Sequence, residues 1–180
     1  MSGQKSFFLI SFLPALAYWY LEENYPLEIA LAGGLTLAVL EMVLEKIFTK
    51  EVHTLSRLNF ILILVLGGIS LLFKEGIWFK LQPFFTGLFL GGYLLISLRK
   101  GKSLMVEMSK INSQKMPENA LIWLEKKLAY FLLFYGFFMA GVGIWFSTST
   151  WLFFKTLGFY IASILFMIGS IIYMRKKLIR

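Results

Sequence analysis

Ionisable residues set within or beside long apolar runs are where chemistry would have to be done in this chain. Glu28 and Glu41 stand inside one such run, and Lys80 and Lys155 stand at the borders of two others. Charge in lipid is costly, so a carboxylate held there suits a proton or cation site. Each glutamate also lies within a turn of its run's end, where a carboxylate reaches water, and interfacial solvation explains both residues as well. Glu41 and Glu45 share a helical face four residues apart, with Lys46 beside the second. His53, the one histidine, follows Glu51 in a polar loop; such a residue is either simply solvated or a pH sensor.

All ten acidic residues are Glu, and neither Asp nor Cys occurs. Composition thereby excludes a Ser-His-Asp triad, disulfides and thiolate metal sites. The sequence contains no phosphate-binding glycine loop, no H-E-x-x-H and no dinucleotide fingerprint. No catalytic residue, metal or cofactor is expected.

The elements that must position these side chains are membrane helices. Of 180 residues 58% are hydrophobic and only 16% charged, with a mean hydropathy of +0.74. Soluble domains are about 45–50% apolar and about a quarter charged, so lipid is the solvent for most of this chain. A spanning helix needs about 20 mainly apolar residues. Six runs are candidates: 7–21, short and holding Pro14, then 27–44, 58–73 (also short), 81–98, 128–146 and 156–174. The expected fold is all-α, a polytopic membrane bundle of five to six transmembrane helices in a single domain over residues 1–180. Lys5, the apolar stretch after it and "ALA" at 15–17 also resemble a signal peptide, whose features a first spanning helix shares.

With six spans, fifteen of the 18 Lys and Arg residues fall on one side and three on the other; without the first span the split is fourteen to four. The positive-inside rule then places the C-terminus in the cytoplasm. Trp19, Trp78, Trp145 and Trp151 fall near the outer boundary and Trp123 near the inner one, as the interfacial preference of Trp requires. Trp78 and Phe79 read as anchors of an external hinge, with Lys74 and Lys80 snorkelling into headgroups. The net charge of +8 comes with no nucleic-acid motif, so anionic lipid rather than nucleic acid explains it. Residues 99–127 form a basic cytoplasmic loop in which Leu104, Met108 and Ile111 repeat at i, i+4, i+7. This amphipathic stretch suits the membrane surface or a protein partner, and Pro117 is placed to open the helix that follows.

Small residues mark contact faces. Gly67–Gly68 and Gly91–Gly92 are pairs, Gly87 and Gly91 make G-x-x-x-G, and Gly136 pairs with Ala140. In lipid such residues let backbones approach closely. They serve the chain's own helices, a partner's helix or a second copy of the chain.

The order of these pieces resembles the intracellular septation protein A family of bacterial inner-membrane proteins. The likeness starts at "FFLISFLPALAYWY" and is strongest at "LGGISLLF" and "WFKLQP", which carry Gly67, Gly68, Lys80 and Pro83. Further on, "WLFFKTLG" carries Trp151, Phe154, Lys155 and Gly158. Tyr130 stands where the family often has a second Trp, and an apolar residue near Met139 where it has Asn. The resemblance implies five spans and a non-enzymatic role in cell-envelope biogenesis, membrane integrity and septation. It implies contact with membrane lipids and with cell-division and cell-wall-synthesis membrane proteins. It also suggests that Lys80 and Lys155 lie together near Trp78 and Trp151, gripping headgroups or an acidic partner. A transporter or channel using Glu28 and Glu41 is the alternative.

Overall fold

A computed structural model describes residues 13–49, 54–111 and 116–177. His53, Lys5 and the start of the first apolar run lie outside the described residues. Every element within them is helical: α1 (Leu13–Asn24), α2 (Leu27–Thr49), α3 (Thr54–Phe73), α4 (Ile77–Lys80), α5 (Gln82–Arg99), α6 (Leu104–Ile111), α7 (Glu118–Trp145) and α8 (Thr148–Phe153). A π-helical turn, Phe154–Gly158, then joins α8 to α9 (Phe159–Lys177). The all-α membrane bundle expected from composition is the observed fold.

Among the described residues four stretches are long and apolar enough to cross a bilayer: Leu27–Ile47, Ile77–Arg99, Glu118–Trp145 and Thr148–Lys176. The apolar part of α3 is shorter, Phe60–Phe73, because Arg57 and Asn59 occupy its first turns. α1 runs through Ala15 and Ala17 as unbroken helix. At 28 residues, α7 is about 42 Å long, more than the roughly 30 Å of hydrocarbon, so one end stands clear of it.

Local chemistry sets the turns. Lys74 adopts φ 55°, alone among the described non-glycine residues in the left-handed region, and Glu75 N–H reaches back to the Ser70 carbonyl at 3.1 Å. That closure ends α3 and turns the chain toward α4. Gly101, at φ 72°, ends α5 in the same way, with Lys102 N–H bonded to the Ser97 carbonyl at 3.0 Å. The Ser147 hydroxyl accepts from Thr150 N–H at the start of α8, satisfying an orphan donor.

Two packing regimes hold the helices. α5 and α7 meet backbone to backbone: a Cβ on Gly87 would stand 2.5 Å from the Leu132 carbonyl oxygen, and one on Gly91 2.8 Å from that of Ala129. From the other side, a Cβ on Gly136 would stand 3.1 Å from the Phe84 carbonyl oxygen. α9 keeps its distance and leans on α7 through rings instead. Phe131 stacks on Phe166 at 4.9 Å and Trp123 on Tyr173 at 4.5 Å between centroids. The remaining sides of α9 present Ile161, Ile164, Leu165 and Ile168 outward, as lipid requires.

The basic loop is tied down. Ser103 and the backbone N–H groups of Leu104 and Met105 all donate to the buried Glu125 carboxylate on α7. The carboxylate thus caps the N-terminus of α6, where orphan donors and the helix dipole favour it. The sequence pattern points to Leu104, Met108 and Ile111 as the apolar face of α6. The structure buries Val106 and Ser109 and leaves Leu104 half-buried. The side chains at 108 and 111 lie outside the described residues. Pro117 stands just before α7 rather than in its first turn.

Gly87→Ala is expected to lower stability by about 1–3 kcal/mol, since the new methyl meets backbone that cannot yield. Gly92→Ala, with open space before it, is expected to hold or slightly raise the thermal unfolding midpoint in detergent, since alanine is the better helix former by about 1 kcal/mol. Equal midpoints for the two variants would contradict the packing described.

Candidate functional site

A cluster of polar groups gathers at the end of the bundle where α1 turns into α2, α3 into α4, and α7 into α8. The core there is aromatic. Tyr18, Phe79 and Trp151 are all fully buried, with Tyr18 4.5 Å from Phe79 and Trp151 6.2 and 6.4 Å from the two, centroid to centroid. α4 makes this possible by dipping into the bundle as one helical turn. Its Phe79 N–H is satisfied by the buried Ser70 hydroxyl at 2.9 Å. Phe79 is therefore core, not the interfacial anchor its neighbour Trp78 suggests; Trp78 is half-buried.

Trp151 connects both lysines. Its indole N–H donates to the Lys80 carbonyl at 2.9 Å, and the Lys155 ammonium sits 4.7 Å above the ring centroid. Such a cation–ring contact contributes about 0.5–2 kcal/mol, more as water is excluded. Lys155 also donates to the side-chain oxygen of Gln82 at 2.7 Å, and Gln82 is buried. The charge acting on it comes from Glu41. Lys80 points the other way, with its ammonium 3.3 Å from Glu22 Oε1. The same oxygen accepts the Tyr18 hydroxyl at 3.0 Å.

The position of Lys155 differs from the sequence expectation. Charge counting puts it in a loop before a span beginning at 156. The structure runs one rod from Thr148 to Lys177 and holds Lys155 in its π turn. That turn gives Phe154 O an i+5 bond from Phe159 N–H and a second donor, the Tyr135 hydroxyl, at 2.6 Å. Gln82 and the Trp151 face replace the water that the ammonium would otherwise need. Glu41 acts on Lys155 across two helices.

Comparison with known proteins follows this geometry. The family model for intracellular septation protein A matches residues 7–180. The chain belongs to that family. Among its relatives, the inner membrane-spanning protein YciB of Magnetococcus marinus is 31% identical over 148 residues, 78% of this chain and 74% of that protein. The protein of the same name from Coxiella burnetii is 24% identical over 94% of this chain and 93% of its own length. That of Salmonella paratyphi B is 21% identical over 94% of each. No solved structure matches.

In this septation-family chain the expected residues divide into three groups. Lys80, Trp151 and Lys155 are joined in one cluster, with Trp78 two residues from Lys80; Pro83 occupies the first turn of α5, where its missing N–H costs nothing. Gly67 packs against Leu35, and Gly87, Gly91 and Gly136 form the α5–α7 contact, whereas Gly68 and Gly92 face open space. Glu28 is exposed and faces the exposed Lys74 at 3.8 Å, a surface pair of little energetic weight. It does not join Glu41, which stands thirteen residues along α2, about 20 Å away. Among the described residues no group of His, Cys, Asp or Glu could hold a metal ion.

Sequence reasoning missed Tyr18, Glu22, Ser70, Gln82 and Glu125. Glu125 alone carries a legible signal, since it falls on the ridge Leu121, Glu125, Ala129 that α7 buries at i+4 spacing. The others find their partners only through tertiary contact. Trp151→Phe keeps the ring but leaves the Lys80 carbonyl without its donor. It is expected to cost about 1–3 kcal/mol in detergent unfolding, while Trp145→Phe, on the exposed rim, is expected to cost nothing measurable.

Proposed function

We propose that this inner-membrane protein supports cell-envelope biogenesis, membrane integrity and septation without catalysis, by holding division and wall-synthesis membrane proteins beside one another. The cytoplasm faces the basic-loop end and the C-terminus, and the aromatic cluster faces outward. One observation carries the reading: Gly87, Gly91 and Gly136 are consumed by internal packing, but Gly68 and Gly92 are not. A glycine inside a helix costs about 1 kcal/mol relative to alanine, so glycines with nothing against them suit close approach by another helix. Membership of a septation family supports the cellular process named.

Crosslinking in the native cell, with recovery compared against an unrelated polytopic protein of matched abundance, tests this. Division or wall-synthesis proteins should be selectively enriched, and Gly68→Leu with Gly92→Leu should reduce that enrichment several-fold at unchanged abundance. Recovery equal to that of the control protein would overturn the reading.

The hydrogen bond of Lys155 to the buried Gln82 inside the bundle favours a second reading, ion or proton movement through the bundle past Glu41. Glu28 has no part in it. Liposomes containing the purified chain should then show a flux that Glu41→Gln abolishes; flux no greater than in empty liposomes would remove this alternative.

A further inference from the structure

Beside the aromatic cluster lies a cavity of about 500 Å³, bounded by α1, the start of α2, α4 and the end of α7. Its lining is about equally polar and apolar: Leu27, Ile77, Ile144 and Phe146 supply hydrocarbon, and Glu22 and Lys80 are its two charged residues. The Glu22 carboxylate is unevenly satisfied. Oε1 receives both the Tyr18 hydroxyl and the Lys80 ammonium, while Oε2 is buried and has no donor among the described residues. A carboxylate oxygen out of water calls for a donor, and one that carries positive charge serves it best. Lys80 holds three N–H donors and directs one toward Glu22, which leaves capacity for an anion beside it.

We infer that this cavity binds the headgroup of a zwitterionic phospholipid bearing a primary ammonium, of the phosphatidylethanolamine class. The ammonium donates to Glu22 Oε2, the phosphate accepts from Lys80, and the acyl chains leave past Ile144 and Phe146. Depth agrees as well. Trp145 is 78% exposed, and Ile144 and Phe146, which border the cavity, are 55% and 58% exposed; an exposed Trp beside apolar side chains marks the level where headgroups meet hydrocarbon. The chemistry is selective. A choline headgroup has no N–H to give Oε2, and a glycerol headgroup brings no cation to Glu22. This assignment is independent of whether the glycine faces hold partner proteins.

The purified full chain, reconstituted in nanodiscs of mixed phosphatidylethanolamine, phosphatidylcholine and phosphatidylglycerol, can be extracted and its retained lipid counted by mass spectrometry. Phosphatidylethanolamine should be retained over each of the others by about tenfold, the scale of one charge-assisted hydrogen bond. Glu22→Gln should remove the preference. Because Glu22 also holds Tyr18 and Lys80, Ile144→Trp supplies a separate check: it narrows the mouth without touching those bonds and should lower retention too. Equal retention of the three lipids, or unchanged retention in both variants, would overturn the proposal. Displacement of the lipid by millimolar soluble glycerophosphoethanolamine would overturn the lipid source, since the same head chemistry would then arrive from solution.

Discussion

A carbonyl or ammonium group withdrawn from water must find its partner inside the protein, and at the hinge end the Trp151 indole supplies partners to both kinds. Its N–H edge takes the Lys80 carbonyl and its face takes the Lys155 ammonium. α4 can therefore end inside the bundle, and the last helix can carry a lysine below its first turns. Burial of the ring also fills the space between Tyr18 and Phe79, so the interaction that satisfies polarity also seals the core. Without it the hinge would have to lie at the surface, as its lysines alone suggest.

The helices below this seal are held by contacts of opposite character. α5 and α7 approach until only glycine fits between them, which maximises dispersion contact where lipid offers no hydrophobic drive. α7 and α9 stand apart and fill the gap with stacked rings. Close glycine packing fixes distance and angle rigidly. An aromatic ladder fills a wider gap with large apolar area and leaves the outer sides of α9 to lipid. The π turn lies where α8 gives way to this ladder, and Tyr135 on α7 satisfies its Phe154 carbonyl.

At the opposite end Glu125 does for the basic loop what Trp151 does for the hinge. One buried carboxylate gathers the Ser103 hydroxyl and two backbone N–H groups at the start of α6. The amphipathic segment is thereby docked on its own bundle through Val106 and Ser109 rather than left to the membrane surface alone. Each end of the protein is thus organised by a side chain on one helix that satisfies the backbone of another.

Hydropathy and charge are local quantities, and from them the sequence by itself determined an all-helical membrane protein, its apolar runs and the asymmetry of its lysines and arginines. The glycine spacing on α5 was legible for the same reason, because a four-residue interval is a property of one helix. Tertiary structure decided which glycines are consumed by packing: Gly87 and Gly92 look alike in sequence and differ only in what stands opposite. It also decided that Lys155 lies within the last rod and that Glu22, Gln82 and Ser70 matter. Lys155 meets Gln82 across 73 positions of chain and Trp151 meets Lys80 across 71, distances over which no periodicity carries information. A charge rule places a lysine at the edge of a span because water is its default partner. Only the folded bundle shows that an amide and an indole face have taken water's place.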